Sequence, residues 1–361
     1  MADQHLAATI VEVQVGDDLV ISQAFGESLP GIPATTDMNF RNGAVAFGYV
    51  GELLMLFVDD GTVALDDTID QWVPELPESD KVTLRMLAQM TSGYPDFETD
   101  PDWQLAYLSN PYYDFSYEER IEYAFSRPQL FEPGTSWSYA HTNYAILGHV
   151  LAIIGEKPLD ELLQERVLGP MGLTGTVAHF DPEIPAPVLH AIQSERKSLF
   201  GIDPATSFFE ESTYWSTSWG SPVGADQTSI ISDLTKTAVA IGSGALLSDE
   251  AYQAMTESTV IGLGESTPNC APSCFEQTEL YNYAVGVAKS GEWMMQNPSV
   301  SGYSAVWAYN PTAKLAISVV STFAPEAFSP EGGSSNVTNL LWRQIAAAIS
   351  PENAPPMPES E

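Results

Sequence analysis

Few side chains in this chain stand at spacings that could do chemistry. The segment FEPGTSWSYAHTNYAILGHVL, residues 131–151, carries a phenol, Tyr139, two residues before an imidazole, His141. Together they could give and take protons as a general acid/base pair, although a tyrosine at the start of a helix is more commonly a packed ring with a satisfied hydroxyl. The stretch SERK holds Ser194 and Lys197, a hydroxyl with an amine three residues on. On a helix such side chains share a face, and a base there can take the proton that makes serine a nucleophile. So short a pattern arises readily by chance, and this one lies mid-chain beside HAIQ. Ser92, close to Asp96, has no evident base and reads as a turn-stabilising hydroxyl. No G-x-S-x-G nucleophile elbow occurs. The two cysteines, Cys270 and Cys274 in NCAPSC, could close a small disulfide loop, remain free thiols or form half a metal site. With no further cysteine and only five histidines, scattered along the chain, neither a metal centre nor a cofactor is expected.

The elements that must position these groups form two β-rich ends around a helical middle. ATIVEVQV and DLVISQAFG flank Gly16, Asp17 and Asp18 and predict a hairpin; YSAVWAY and KLAISVVST flank Asn310 and Pro311 and predict another. Helical periodicity covers about 83–91, 117–126, 143–154 and 158–168, the last opened by Pro158. In NFRNGAVAFGYVGELLMLFVDDGTVALDD, residues 39–67, an apolar helix runs from about Ala44 to Val58 and stops at Asp59-Asp60-Gly61, where glycine can take the left-handed conformation. A last helix, SSNVTNLLWRQIAAAI, has a serine N-cap signal and ends before Pro351. Hairpins far apart in sequence can share one antiparallel sheet, with the helical middle, roughly 83–240, inserted as a lobe. Residues 1–346 are thus expected to form the domain, and the Pro- and Glu-rich stretch 347–361 to be disordered.

With 361 residues, 44% of them hydrophobic, the chain can bury a large core, and no apolar run is long enough to span a bilayer. Forty-eight acidic against 13 basic residues leave a net charge of −35, which repels polyanions. Nucleic acid and anionic membranes are therefore poor candidate partners. The opening MADQHLAATIVEV lacks a basic stretch followed by an apolar one, so no signal peptide is read there. An extracytoplasmic, mature form is favoured over a cytoplasmic protein; the oligomeric state is not legible.

Residues 39–67 resemble the nucleophile helix of the superfamily of serine β-lactamases, penicillin-binding proteins and family VIII esterases, written F-R-x-G-S-x-x-K and followed by E-G-x-L-x-L-D-D. Phe40, Arg41, Gly43, Gly61, Leu65, Asp66 and Asp67 match, but Ala44 stands at the serine position and Phe47 at the lysine position. Residues 131–151 resemble the P-G-x-x-x-x-Y-[SA]-N-x-x-Y-x-x-L-G segment. Tyr139 takes the place of the tyrosine that, by resemblance, moves a proton between serine oxygen and leaving group, and His141 replaces the asparagine. WMMQNPSVSGYSAVWAYNP resembles the [K/H]-x-G strand, with Gln296, Asn297 and Pro298 at the motif. The N–H groups of Ala44 and Ser299 are placed where the resemblance puts the oxyanion hole. VTLRMLAQMTSGYPDF, VLGPMGLTGT and YAVGV extend the likeness over about residues 7–346.

The resemblance implies an α/β (α+β) fold of the serine β-lactamase type: an antiparallel sheet from both chain termini flanked by helices, with a mostly helical lobe. It places a cleft between Ala44, Phe47, Tyr139, His141 and Gln296–Ser299. Losing the serine, the lysine and the cation of the third motif together reads as a coherent change of pocket chemistry. The first expectation is a non-hydrolytic pseudo-enzyme that binds a small-molecule or peptide-like ligand in the old cleft. A second is acid/base catalysis by Tyr139 with His141, and a third is the carboxypeptidase, β-lactamase or esterase activity of the family, should the motifs align differently.

Overall fold

Strands gather at the two ends of the chain. The structure is a computed structural model that describes residues 2–178, 183–216, 218, 220–225, 227–267, 270 and 272–358. From the N-terminus come β1 (Leu6–Val15), β2 (Asp18–Leu29) and β3 (Ile32–Pro33). The middle contributes short pieces: β4 (Phe40–Arg41), β5 (Val177–Ala178), β6 (Ile192–Gln193), β7 (Glu210–Glu211) and β8 (Gln227–Ser229). The C-terminal part supplies β9 (Asn282–Tyr283), β10 (Ala288–Ser290), β11 (Trp293–Gln296), β12 (Ser299–Val300), β13 (Tyr303–Asn310) and β14 (Leu315–Phe323).

Both expected hairpins form, and they meet. The main sheet has the order β3-β2-β1-β14-β13-β11-β10-β9, with β12 also on β13. The first and last strands pair antiparallel, Ile10 opposite Val320, and Val319 in turn lies opposite Val306. Every residue of β13 and β14 is buried, so this antiparallel sheet is covered on both faces.

Helices supply the cover. They are α1 (Val45–Asp59), α2 (Leu84–Ala88), α3 (Pro101–Ser109), α4 (Tyr117–Phe125), α5 (His141–Ile154), α6 (Leu159–Leu163), α7 (Ile231–Ser243), α8 (Asp249–Thr256) and α9 (Thr338–Ile349). Gly242 of α7 lies against Tyr309 and Gly48 of α1 against Trp307, on one face of the sheet. On the other face Trp342 of α9 packs on Trp293 at 5.2 Å between ring centroids. Strand alternation separates these two sets, because Trp307 and Tyr309 share a face with each other and Trp293 points the opposite way. A helix that is apolar all round must be buried, and α1 is: from Val45 to Met55 every residue is enclosed. It ends as its sequence predicts, with Gly61 at φ +76° and its N–H on the Val58 carbonyl at 3.1 Å.

Several expectations need correction. The helix read at 83–91 is only α2, capped by Thr83, whose hydroxyl accepts the Met86 N–H. The 143–154 helix begins two residues earlier, at His141, and the 158–168 helix passes from α6 into a π-helical turn at Gln164–Leu168. The last helix has no serine cap and starts at Thr338, because the polar run before it serves tertiary partners: Asn336 accepts from Ser304 and donates to the Asn297 carbonyl. Within the mostly helical middle, β8 and β5 form a small sheet with β4, and α7 packs on the main sheet. The stretch after Ile349 is not disordered as far as Pro358. Trp293 Nε1 donates to the Asn353 carbonyl at 2.8 Å, the Arg343 guanidinium to that of Pro356, and Pro355 is buried. Among the described residues no helix is long and apolar enough to cross a membrane.

Candidate functional site

Four consecutive residues at the start of α5 fix one wall of a cleft by binding the segment 88–98. Tyr144 donates its hydroxyl to the Ala88 carbonyl at 2.8 Å, and Asn143 Oδ1 accepts from Ser92 Oγ. Thr142 Oγ1 donates to the Pro95 carbonyl at 2.7 Å and accepts the Phe97 N–H at 3.1 Å. His141 Nδ1 lies 3.0 Å from Asp96 Oδ2 and 3.1 Å from Glu98 Oε1. Asp96 is itself held, since its Oδ1 accepts the Glu98 N–H and its carbonyl accepts from Arg127.

The opposite wall is the turn into α1 and the strand region after β11. Gly43 makes the two meet: a Cβ there would stand 2.9 Å from Val300 Cγ1 and 3.0 Å from Pro298 Cβ, and its φ of +55° disfavours any side chain. Between the walls is a cavity of about 400 Å³. Ala44, Tyr139, His141, Gln296, Asn297 and Ser299 all line it, so the sequence-derived site residues come together with one exception. Phe47 lies beneath, fully buried, stacked on Tyr144 at 4.0 Å between centroids and 6.4 Å from the Tyr139 ring.

Each wall residue is placed by neighbours that its own sequence position does not reveal. The Tyr139 N–H donates to the Ser273 carbonyl at 3.0 Å, within the loop closed by the Cys270–Cys274 disulfide, while Trp137 packs edge-on against Phe275 at 4.8 Å. The Tyr139 hydroxyl makes no hydrogen bond among the described residues, and the residue lines the cavity. Gln296 turns its amide into the scaffold, donating to the Gly286 carbonyl at 2.7 Å and to Tyr283 Oη at 3.0 Å. Ser299 remains exposed on β12.

The electrostatics are acidic. Glu98 and Glu195 line the cavity beside Tyr281 and Ser221, and among the described lining residues there is no lysine or arginine. Burial, then the nearby Asp96 and Glu195, pushes the Glu98 carboxyl well above the usual carboxylate range. Burial raises the Tyr139 phenol well above its ordinary value, reinforced by Tyr281, Glu98 and Asp96. A phenol raised in this way, with no cation against it, can donate a proton at neutral pH but cannot serve as a base.

The other candidates fall elsewhere. Ser194 donates to the Phe208 carbonyl and Lys197 to that of Pro204, each at 2.8 Å, so neither activates the other. Ser92 is fully buried, and its oxygen accepts the Tyr94 N–H, which is the turn-stabilising role read from sequence. Sequence reasoning missed Glu98, Glu195, Ser221 and Tyr281. Glu98 follows Asp96 by two residues, and Glu195 lies inside the SERK stretch; for Ser221 and Tyr281 the chain offers no signal.

A family model described as Beta-lactamase matches residues 1–338. Among curated proteins, Penicillin-binding protein 4 of Amycolatopsis lactamdurans is 31% identical over 181 residues, 47% of this chain and 44% of that protein. The chain spans less than half the length of the curated relatives it matches. Among solved structures, the D-stereospecific amidohydrolase from a Streptomyces species is similar with a TM-score of 0.77 at 18% identity, covering 97% of this chain and 96% of that one. The D-amino acid amidase of Ochrobactrum anthropi SV3, complexed with L-phenylalanine, is similar with the same TM-score of 0.77 at 20% identity and the same coverage of 97% and 96%. At such identities these two likenesses speak for the fold alone.

Proposed function

The chain belongs to the Beta-lactamase family, and from that premise we propose that it is a non-acylating member whose cleft binds a small, peptide-like ligand. The observation that carries this reading is the first turn of α1. Ala44 lines the cavity with no hydroxyl, and three residues on, Phe47 fills the space under it by stacking on Tyr144. An acyl-serine mechanism needs a nucleophile and a base at these two places, and an aromatic ring is neither. Gln296 supports the same reading, because its amide is committed to Gly286 and Tyr283 where the family motif has a cation. A peptide-like ligand suits a cavity with room for a few residues, and it accords with the names of the amidase and amidohydrolase that share the fold. The Cys270–Cys274 bridge supports an oxidising, extracytoplasmic compartment.

The test is intact mass after exposure to a β-lactam and, separately, to a fluorophosphonate. No adduct is expected; an adduct on Ser221 or Ser299, the cleft's own hydroxyls, would overturn the proposal.

One observation favours a second reading, acid/base chemistry without an acyl intermediate. His141 is held by two carboxylates and its ring stands 5.1 Å from that of Tyr139. A pH-dependent turnover of an amide or ester, abolished by Tyr139→Phe, would establish it, and with it replace pure binding.

A further inference from the structure

We propose that Asp96, Glu98 and His141 form a binding site for a divalent metal ion on the inner wall of the cleft. Their donor atoms, one from each residue, all lie within 4.8 Å of one another. More tellingly, the Nδ1–Oδ2 and Nδ1–Oε1 separations are 3.0 and 3.1 Å. Ligands bound at about 2.1 Å and meeting at octahedral or tetrahedral angles are spaced roughly 3.0–3.4 Å apart, so the two separations match neighbouring positions around one ion.

An independent observation points into the same spot. Glu98 Oε1 is closed off from solvent and has no hydrogen-bond partner among the described residues, even with His141 Nδ1 3.1 Å away. An imidazole N–H directed at Asp96 leaves that carboxylate oxygen without a donor, which is costly in a buried position. An ion between the three groups serves all of them, and two carboxylates with a neutral imidazole balance a double positive charge.

The triad is rigid before any ion arrives. Thr142 clamps residues 95–97 to the start of α5, Arg127 holds the Asp96 carbonyl, and Asp96 Oδ1 accepts the Glu98 N–H, which ties the Glu98 backbone to the first carboxylate. One imidazole with two carboxylates suits a first-row transition ion or zinc, since calcium takes oxygen ligands alone. Three protein donors leave positions open, and these face the cavity that Glu98, His141 and Tyr139 share. The site stands apart from the reading above: it would load whether or not the cleft takes a peptide-like ligand, and the acylation test does not depend on it.

Cobalt(II) is the probe. The chelator-treated full-length chain is titrated with Co²⁺ in excess Mg²⁺, which occupies the many surface carboxylates, while visible d–d absorption and bound metal are read. One ion per chain with a low-symmetry spectrum is expected. Outer-shell changes alone cost about 10–100-fold in metal affinity, so His141→Ala and Glu98→Gln should each weaken binding at least that much. Asp96→Asn also loses a cap and can fail to fold, so the test rests on the other two variants, with melting temperature checked for each. Copper(II) EPR adds a readout specific to nitrogen: coupling to one ¹⁴N, absent in His141→Ala. Metal uptake of the same affinity and spectrum in His141→Ala and Glu98→Gln, or uptake that Mg²⁺ abolishes, would be adventitious surface binding and would overturn the proposal.

Discussion

Replacing Glu52 by glutamine should remove a large pH dependence of stability from this protein. Glu52 lies in α1 with no exposed surface, and both its carboxylate oxygens are buried without hydrogen-bond partners among the described residues. Burial raises its pKa from 4.5 to about 8. The folded chain therefore keeps a proton that the unfolded chain has lost between those two values. The stability this contributes is fully present below pH 4.5 and is lost as pH rises through 8. Each pH unit inside the window costs about 1.4 kcal/mol, so the wild type should lose about 3 kcal/mol between pH 5 and pH 8 on this account alone. Glu52→Gln keeps the shape and cannot ionise. Urea unfolding of both proteins at constant ionic strength, in steps from pH 5 to pH 8, isolates the effect, because Glu98 and Glu195 titrate in both. The two proteins should be similar at pH 5, and the variant should pull ahead steadily toward pH 8. Parallel stability curves for the two would refute the reasoning, since they would mean that the carboxylate ionises in the folded chain as easily as in water.

Three further outcomes follow from the same structure. Ala44→Ser alone should give no acyl-enzyme with an activated ester, and Ala44→Ser with Phe47→Lys only weak acylation by intact mass; breaking the Phe47–Tyr144 stack and burying an amine there should cost roughly 3–5 kcal/mol in urea unfolding. The denatured, unreduced protein should show no free thiol, and Cys270→Ser should lower stability by about 2 kcal/mol for so short a loop, with ligand or probe contacts at Tyr139 loosened because the Ser273 carbonyl holds that residue's N–H. With a net charge of −35, the melting temperature should rise between low and roughly molar salt as the Debye length shrinks; a flat response would show that the acidic groups are too dispersed to repel one another.

Local patterns determined a good part of this protein. Strict alternation around Gly16-Asp17-Asp18 and around Asn310-Pro311 sufficed for the hairpins, and an apolar run ending in Asp59-Asp60-Gly61 sufficed for α1, because each depends on neighbours within a turn or two of chain. The family could be read from Phe40, Arg41, Gly43 and the segment around Tyr139. Element ends were less legible. Thr338, not a serine, opens α9 because Asn336 is engaged with Ser304 and Asn297, and the Pro-rich end is ordered to Pro358 because Trp293 and Arg343 bind its carbonyls. The cleft's chemistry was the tertiary structure's to decide. Glu98 and Asp96 reach His141 across 43 and 45 residues of chain only because Thr142 ties their loop to α5, and Gln296 faces the scaffold only because the Gly286 carbonyl is there to receive it. Composition fixes how many carboxylates and imidazoles a chain holds, but which of them meet is set by backbone hydrogen bonds between segments distant in sequence, and those exist only once the sheet has closed.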